Sequence, residues 1–361
     1  MKTIYLGGNY YQMGRQHGLQ VGELRPLILR AIEARLTSAS PAYTAEAGLR
    51  HAKLRELLEA LWELDPPILE MIRGQAEGLK LDFDTLFKYS AIPYLEDTLL
   101  PERAGGCTTW AASGEATRDG KPILAKNRDY WPQHLPLQVV VLAEPEAGYR
   151  YAYLTSAGSP GVFCAGINEV GLAVADTHVS SLDVGPGIPS YSLMMHLLED
   201  HKTVRSALDY LRSARRMGRN NLILADAKGD MAVFEAGYER YGVVEPQGHV
   251  LVNTNHFVSP KMRAHFVDDN PPHLKGNSLR RYERVRRELG AAYGGIDAAF
   301  ARRLMAEHGS PLDSICTHLE PGRKTCTIST AIFLPAERAF LLCIGNPCEG
   351  EYRLLAPWDK S

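Results

Sequence analysis

Apolar residues recur at two different spacings along this chain, and the change falls near residue 100. Before it, after a short opening strand and a turn at Gly7-Gly8-Asn9, the period is helical. Met13, Val21, Leu24, Ile28 and Ile32 share a face with His17 over residues 10–36, and Pro26 is expected to kink or interrupt that helix. Leu54, Leu57, Leu58 and Leu61 repeat the pattern over residues 44–64, and Asp65-Pro66-Pro67 stops it. Two more helices are predicted, over residues 68–79 and 83–92.

After Pro101 short apolar or alternating runs take over, at residues 107–112, 122–125, 138–143, 149–155, 162–167 and 171–178. Their spacing suits antiparallel hairpins more than strand–helix–strand crossovers. A helix is predicted over residues 190–212, then strands at 221–225, 231–236, 241–245 and 250–253. Helices at 278–289 and 296–308 and strands at 325–333, 339–344 and 352–355 close the chain. Long antiparallel sheet with segregated helices predicts an α+β fold, two sheets between helical layers.

Composition narrows the function classes. Of 361 residues 45% are hydrophobic and 23% charged, which suits a globular protein. A formal net charge of −2 speaks against nucleic acid or an acidic membrane as an obligatory partner. No run is apolar enough for a membrane helix, and Met1-Lys2-Thr3-Ile4-Tyr5-Leu6 is too short for a signal peptide. With six cysteines and no secretory signal, reduced thiols and a cytoplasmic location are expected.

The shift in texture coincides with Gly105-Gly106-Cys107-Thr108-Thr109-Trp110. A thiol on so flexible a peptide can attack the Gly106 carbonyl and make Cys107 a new N-terminus, though a lone cysteine is commonly just a small buried hydrophobe. Lys126-Asn127-Arg128-Asp129-Tyr130 ends an apparent strand; on spacing it reads as a solvated turn, with a pocket lining as the alternative. Asn168 sits where hairpin-turn residues belong, or else donates to an oxyanion. Asn255 has the same donor capacity, and His256 is a general base or a buried structural histidine. Asn277 or Ser278 is expected to cap a helix whose Arg281 either holds a substrate carboxylate or pairs with acidic neighbours. Cys316, His318, Cys343 and Cys348 do not match common zinc spacings, and Cys343 lies in an apolar run, so no metal is expected. No phosphate-binding glycine loop is present and no cofactor is implied.

As an ordered set these stretches resemble the acyl-coenzyme A:6-aminopenicillanic acid acyltransferase-like family, a branch of the autoproteolytic N-terminal nucleophile hydrolases. The resemblance rests on Met13-Gly14-Arg15-Gln16-His17-Gly18, Gly106-Cys107-Thr108-Thr109, Asn127-Arg128-Asp129, Asn168-Glu169-Val170-Gly171-Leu172, Thr254-Asn255-His256, Ser278 with Arg281 and Tyr282, and Gly345-Asn346-Pro347-Cys348. It implies a four-layer αββα sandwich and a precursor that cuts itself before Cys107. Residues 1–106 would form a helical small subunit and 107–361 the catalytic one, remaining one globular unit. It further implies Cys107 as nucleophile, Asp129 as the carboxylate that positions it and Asn255 as oxyanion donor, with Asn168 and Arg281 at further active-site positions. Related bile-salt and penicillin V hydrolases carry an arginine three residues before the aspartate. Here that position is Lys126, which argues against those two substrates.

The expected substrate is a small amide or thioester, acyl-coenzyme A included, handled through an acyl-Cys107 intermediate. The expected associations are those of the cleaved subunits, with a homo-oligomer as a further option. Two alternatives stay open: an uncleaved thiol hydrolase pairing Cys107 with His256, and a non-catalytic scaffold.

Overall fold

In the strand Gln138–Pro145, Val139 and Val141 enter one hydrophobic core and Val140 enters another. That two-residue alternation defines the architecture of the computed structural model, in which residues 1–37, 47–99, 106–321 and 323–358 are described. The expected helix start at Thr44 and the first junction glycine, Gly105, lie outside the described residues.

The first sheet has eight strands in the order β1 (Lys2–Gly8), β4 (Gln138–Pro145), β5 (Tyr151–Ser156), β6 (Ala165–Asn168), β7 (Ala173–His178), β8 (Asn220–Ala225), β9 (Met231–Ala236) and β10 (Tyr241–Val244). The second has six, β11 (Val250–Asn253), β2 (Thr108–Gly114), β3 (Gly120–Tyr130), β12 (Cys326–Leu334), β13 (Ala339–Ile344) and β14 (Arg353–Leu355). All neighbours are antiparallel except β1 and β4, which run parallel.

Three cores separate four layers. Ala152, Leu154, Ile167 and Ile223 of the first sheet meet Leu124, Ala331, Phe333 and Phe340 of the second between the sheets. The outer face of the first sheet packs on helices α1 (Tyr10–Gln20), α2 (Arg25–Thr37), α3 (Ala47–Leu64), α4 (Pro66–Leu79), α5 (Phe83–Ser90), α6 (Ile92–Leu99), α7 (Ser190–Asp200) and α8 (Val204–Ser213). The outer face of the second packs on α9 (Asn277–Ala291) and α10 (Ala298–Met305) through Trp110, Ile332, Val285 and Leu304. The order is helices, sheet, sheet, helices, an αββα sandwich. Among the described residues no helix is long and apolar enough to cross a membrane.

The glycines of the Met13–Gly18 stretch are packing residues. A Cβ on Gly14 would lie 2.1 Å from the Met71 carbonyl oxygen, and one on Gly74 equally close to that of Tyr11. Helices α1 and α4 therefore touch backbone to backbone, which side chains would prevent.

Three helix predictions need correction. The helix expected over 10–36 breaks at Val21–Leu24, and Pro26 sits in the first turn of α2, where its missing N–H costs nothing. The helix expected over 190–212 divides because Thr203 caps α8, its hydroxyl accepting from the Ser206 N–H at 3.2 Å. Asn277 and Ser278 open α9 instead of capping it; Gly276 takes the cap position in a left-handed conformation.

Candidate active site

Sheet order assembles the site. Strands β11, β2, β3 and β12 lie side by side, with Thr109 opposite Asn253, Thr108 opposite Asn127, and Asp129 opposite Thr327. Cys107 immediately precedes β2, Asn255 follows β11, and Asp129 is near the end of β3, so one end of the sheet gathers all three. The solvated-turn reading of residues 126–129 is wrong: Lys126, Asn127, Arg128 and Asp129 are all buried. Most of their side-chain polar atoms find partners in other elements, Arg128 Nη2 being an exception. The Asn127 amide, for instance, donates to the Met305 and Ile315 carbonyls at 2.9 Å.

Arg281, fully buried on α9, is the hub. Its Nη1 donates to the Cys107 carbonyl at 2.7 Å and the Thr108 hydroxyl at 2.9 Å. Its Nη2 donates to Asn255 Oδ1 at 2.8 Å and its Nε to Asn277 Oδ1 at 3.0 Å. Burial lowers its pKa to about 10, against the pull of Asp129 and Cys107. A Cβ on Gly106 would lie 2.1 Å from Nη2, so this position accepts only glycine without displacing the guanidinium.

Cys107 keeps some exposed surface, and its Sγ lies 3.9 Å from the Asp129 carbonyl. Desolvation raises the thiol pKa; Lys126 opposes this and Asp129 adds to it. The Asp129 carboxylate accepts from the Thr317 hydroxyl at 2.8 Å and the Thr327 hydroxyl at 2.7 Å. Burial pushes its pKa up, partly offset by Arg281 and the two hydroxyls.

Lys126 reaches across to the other sheet. Its ammonium donates to the Asp176 carbonyl and, at 3.0 Å, to the Asp176 carboxylate. Burial works to lower its pKa, but the charge and hydrogen bond of Asp176 together with the nearby Cys107 and Cys164 thiols outweigh it, and the net shift is upward. The Asn255 side chain is fixed at both ends: its oxygen accepts from Arg281, and Nδ2 donates to the His178 carbonyl at 2.8 Å. Its backbone N–H donates to the Ser278 hydroxyl at 2.8 Å.

Two candidates stand apart. Asn168 donates to the Leu198 and His201 carbonyls at 2.9 and 2.7 Å and accepts from the Leu172 N–H, stapling the β6–β7 turn to the end of α7. Both its amide protons are spent. His256 Nδ1 lies 2.8 Å from the Ser278 hydroxyl, its ring meets Tyr282 edge-on, and burial lowers its pKa to about 4. It has no hydrogen bond to Cys107 among the described residues.

Asp176, Thr317 and Thr327 escaped sequence reasoning, because they come from the opposite sheet, a loop and a strand whose apolar pattern gives no sign of a role. The cleft bordered by Ser113, Lys228, Glu245 and His249 lies at the far end of β2 from Cys107.

A family model described as acyl-coenzyme A:6-aminopenicillanic acid acyl-transferase matches residues 116–349, a span that holds Asp129, Asn255 and Arg281 and begins after Cys107. No curated protein matches the chain. Among solved structures it is similar to a mutant conjugated bile acid hydrolase from Clostridium perfringens (14% identity, TM-score 0.48, 69% of this chain and 96% of the other). It is also similar to a Caenorhabditis elegans ortholog of N-acylethanolamine-hydrolyzing acid amidase (16%, TM-score 0.45, 64% and 93%). A penicillin V acylase from Agrobacterium tumefaciens gives 15% identity, a TM-score of 0.44, and coverage of 66% and 83%.

Proposed function

Because the chain belongs to the acyl-coenzyme A:6-aminopenicillanic acid acyl-transferase family, we propose that it cuts its own Gly106–Cys107 bond and then transfers or hydrolyses the acyl group of a small amide or thioester through Cys107. One observation carries this reading: a single buried guanidinium, that of Arg281, binds both the Cys107 carbonyl and the Asn255 side-chain oxygen. Nucleophile and oxyanion donor are thereby held in one rigid frame.

In the first act the Cys107 sulfur adds to the Gly106 carbonyl carbon. The C–N bond breaks as the C–S bond is kept, and the thiol proton ends on the freed amine. Water hydrolyses the thioester, leaving a Gly106 carboxylate and an N-terminal Cys107. In the second act the new α-amine, with a reference pKa of about 7.7–8.0, takes the thiol proton. The thiolate attacks the substrate carbonyl and forms an acyl-enzyme, which water or an amine resolves. Asn255 offers its remaining amide proton to the oxyanion. The Asp129 carboxylate balances the ammonium that the α-amine becomes. Lys126, committed to Asp176, favours the thiolate through space and is not free to grip a substrate carboxylate.

His256 does not favour the uncleaved dyad, since its Nδ1 is engaged by Ser278, it has no hydrogen bond to Cys107 among the described residues, and burial makes it a weak base with a pKa of about 4. Intact mass of the fresh protein is the test. The wild type should give two fragments of 106 and 361 − 106 = 255 residues, and Cys107→Ala one inactive chain. Cleavage of Cys107→Ala at the same bond, or an active wild type that stays whole, defeats the proposal.

A further inference from the structure

Four ligand-bearing side chains, three from residues 308–318 and the fourth from a separate hairpin, converge beside the Asp129 end of the site. They are His308 after α10, Cys316 and His318 on the loop before β12, and Cys348 after β13. The Cys316 and Cys348 sulfurs are 3.6 Å apart. His318 Nε2 lies 3.8 Å from Cys316 Sγ, 3.3 Å from Cys348 Sγ and 3.0 Å from His308 Nε2. All four donor atoms fall within 4.8 Å of one another.

The three separations that involve sulfur have the size of tetrahedron edges, and the two imidazole nitrogens stand slightly closer. With metal–sulfur bonds of about 2.3 Å and metal–nitrogen bonds of about 2.0 Å, ligand atoms around one zinc ion stand about 3.3–3.8 Å apart. A disulfide does not describe them, since its sulfurs would be about 2.0 Å apart. One N–H···N hydrogen bond can join the two imidazoles, but it does not account for two thiols gathered at the same place. The surroundings suit a thiolate: Asn346 Nδ2 donates to Cys316 Sγ at 3.4 Å while also holding the Thr317 carbonyl at 2.7 Å.

We propose that His308, Cys316, His318 and Cys348 form a structural zinc site. Two thiolates and two imidazoles are the donor set that zinc favours, and four protein ligands leave no position for substrate. Cys343, the other candidate from sequence, is excluded: it is buried in β13 and its thiol faces the Ile344 carbonyl. Sequence spacing gives no sign of this set, because its members come from a helix end, a loop and the far side of a β-hairpin.

The site would do more than staple loops. Thr317 lies between the ligands Cys316 and His318, and its hydroxyl donates to Asp129 at 2.8 Å. Its N–H and carbonyl are bound in turn by Thr327. A metal fixing both neighbours of Thr317 fixes the hydroxyl that orients the Asp129 carboxylate, which makes Thr317 a positioning residue.

The test starts from full-length protein purified without a polyhistidine tag and kept reduced. Elemental analysis should find about one zinc per chain, and Co2+ exchanged into the site should show thiolate-to-cobalt charge transfer with the visible bands of a tetrahedral ion. His308→Ala alters an exposed residue and should lower zinc affinity at least about tenfold; Cys348→Ser should do the same. Well under one equivalent of metal with no cobalt bands overturns the site, as does a Cys316–Cys348 disulfide found by peptide mapping of protein isolated without reductant. Chelating the zinc should also shift the pH dependence of Cys107 alkylation, read at that peptide, through the loosened Asp129. An unshifted profile overturns the positioning role. Metal content itself does not depend on whether Cys107 is a nucleophile.

Discussion

Arg281 Nη1 stands 2.7 Å from the carbonyl oxygen of Cys107, so the residue just before β2 is held by a helix of the outer layer. The same side chain serves four acceptors from three stretches of chain. Arg281→Met should leave those acceptors buried without a donor, costing about 3 kcal/mol or more, and Arg281→Lys should recover only part of it because an ammonium lacks the planar fork. Urea unfolding of the three proteins checks this. Equal stabilities would mean that the guanidinium is not the hub its geometry indicates.

At Gly106 the expected defect is kinetic. An alanine Cβ would overlap Arg281 Nη2, so either the guanidinium or the peptide to be cut must move. A displacement of about 1 Å at a reacting centre costs about a hundredfold in rate, and Gly106→Ala should slow self-cleavage by that order in a time course followed by gel or mass. Gly22→Ala, at a position with nothing within 4 Å, serves as the control and should cleave like wild type.

Acid sensitivity should trace in part to His17. It is buried, its Nε2 accepts the Gly158 N–H at 3.3 Å, and burial lowers its pKa from 6.5 to about 4. Between those values the unfolded chain binds more protons than the folded one. His17 therefore contributes stability that is complete above about pH 6.5 and is lost as the pH falls toward 4, up to about 3 kcal/mol in all. In His17→Gln this component should be missing, so the stability gap between wild type and variant should change with pH across that window. A gap that stays constant from neutral pH to pH 4 rules the mechanism out.

Lys126 and Asp176 join the two sheets beneath Cys107. Lys126→Met leaves Asp176 with Asn220 as its remaining side-chain partner and should destabilise the fold by about 3–5 kcal/mol. It also removes the cation that favours the Cys107 thiolate, so alkylation of Cys107 should require higher pH than in wild type. A profile unchanged in the folded variant would show that the charge does not reach the sulfur.

The layers and their order were readable from hydrophobic period, because strands such as β4 and helices such as α4 bury faces that the sequence marks plainly. The site was readable only in its skeleton. Cys107, Asp129, Asn255 and Arg281 do meet. Residues 126–129, however, look solvent-facing until Asp176, Thr317, Thr327 and the Met305 and Ile315 carbonyls, all distant in sequence, arrive to satisfy them. Asn168 was misleading for the opposite reason. Its turn position is real, and its amide protons go to the carbonyls at the end of α7, contacts that no local pattern announces.

Strand β1 pairs in parallel with β4, and the helices before Cys107 cover one face of the first sheet. A cut after Gly106 would therefore remove a covalent link without releasing a fragment. Refolding would change order in concentration, however: the precursor regains its structure as a single molecule, whereas the processed enzyme must find its missing edge strand by collision. Cleavage would in this sense make folding a one-time event, completed while the chain is still whole.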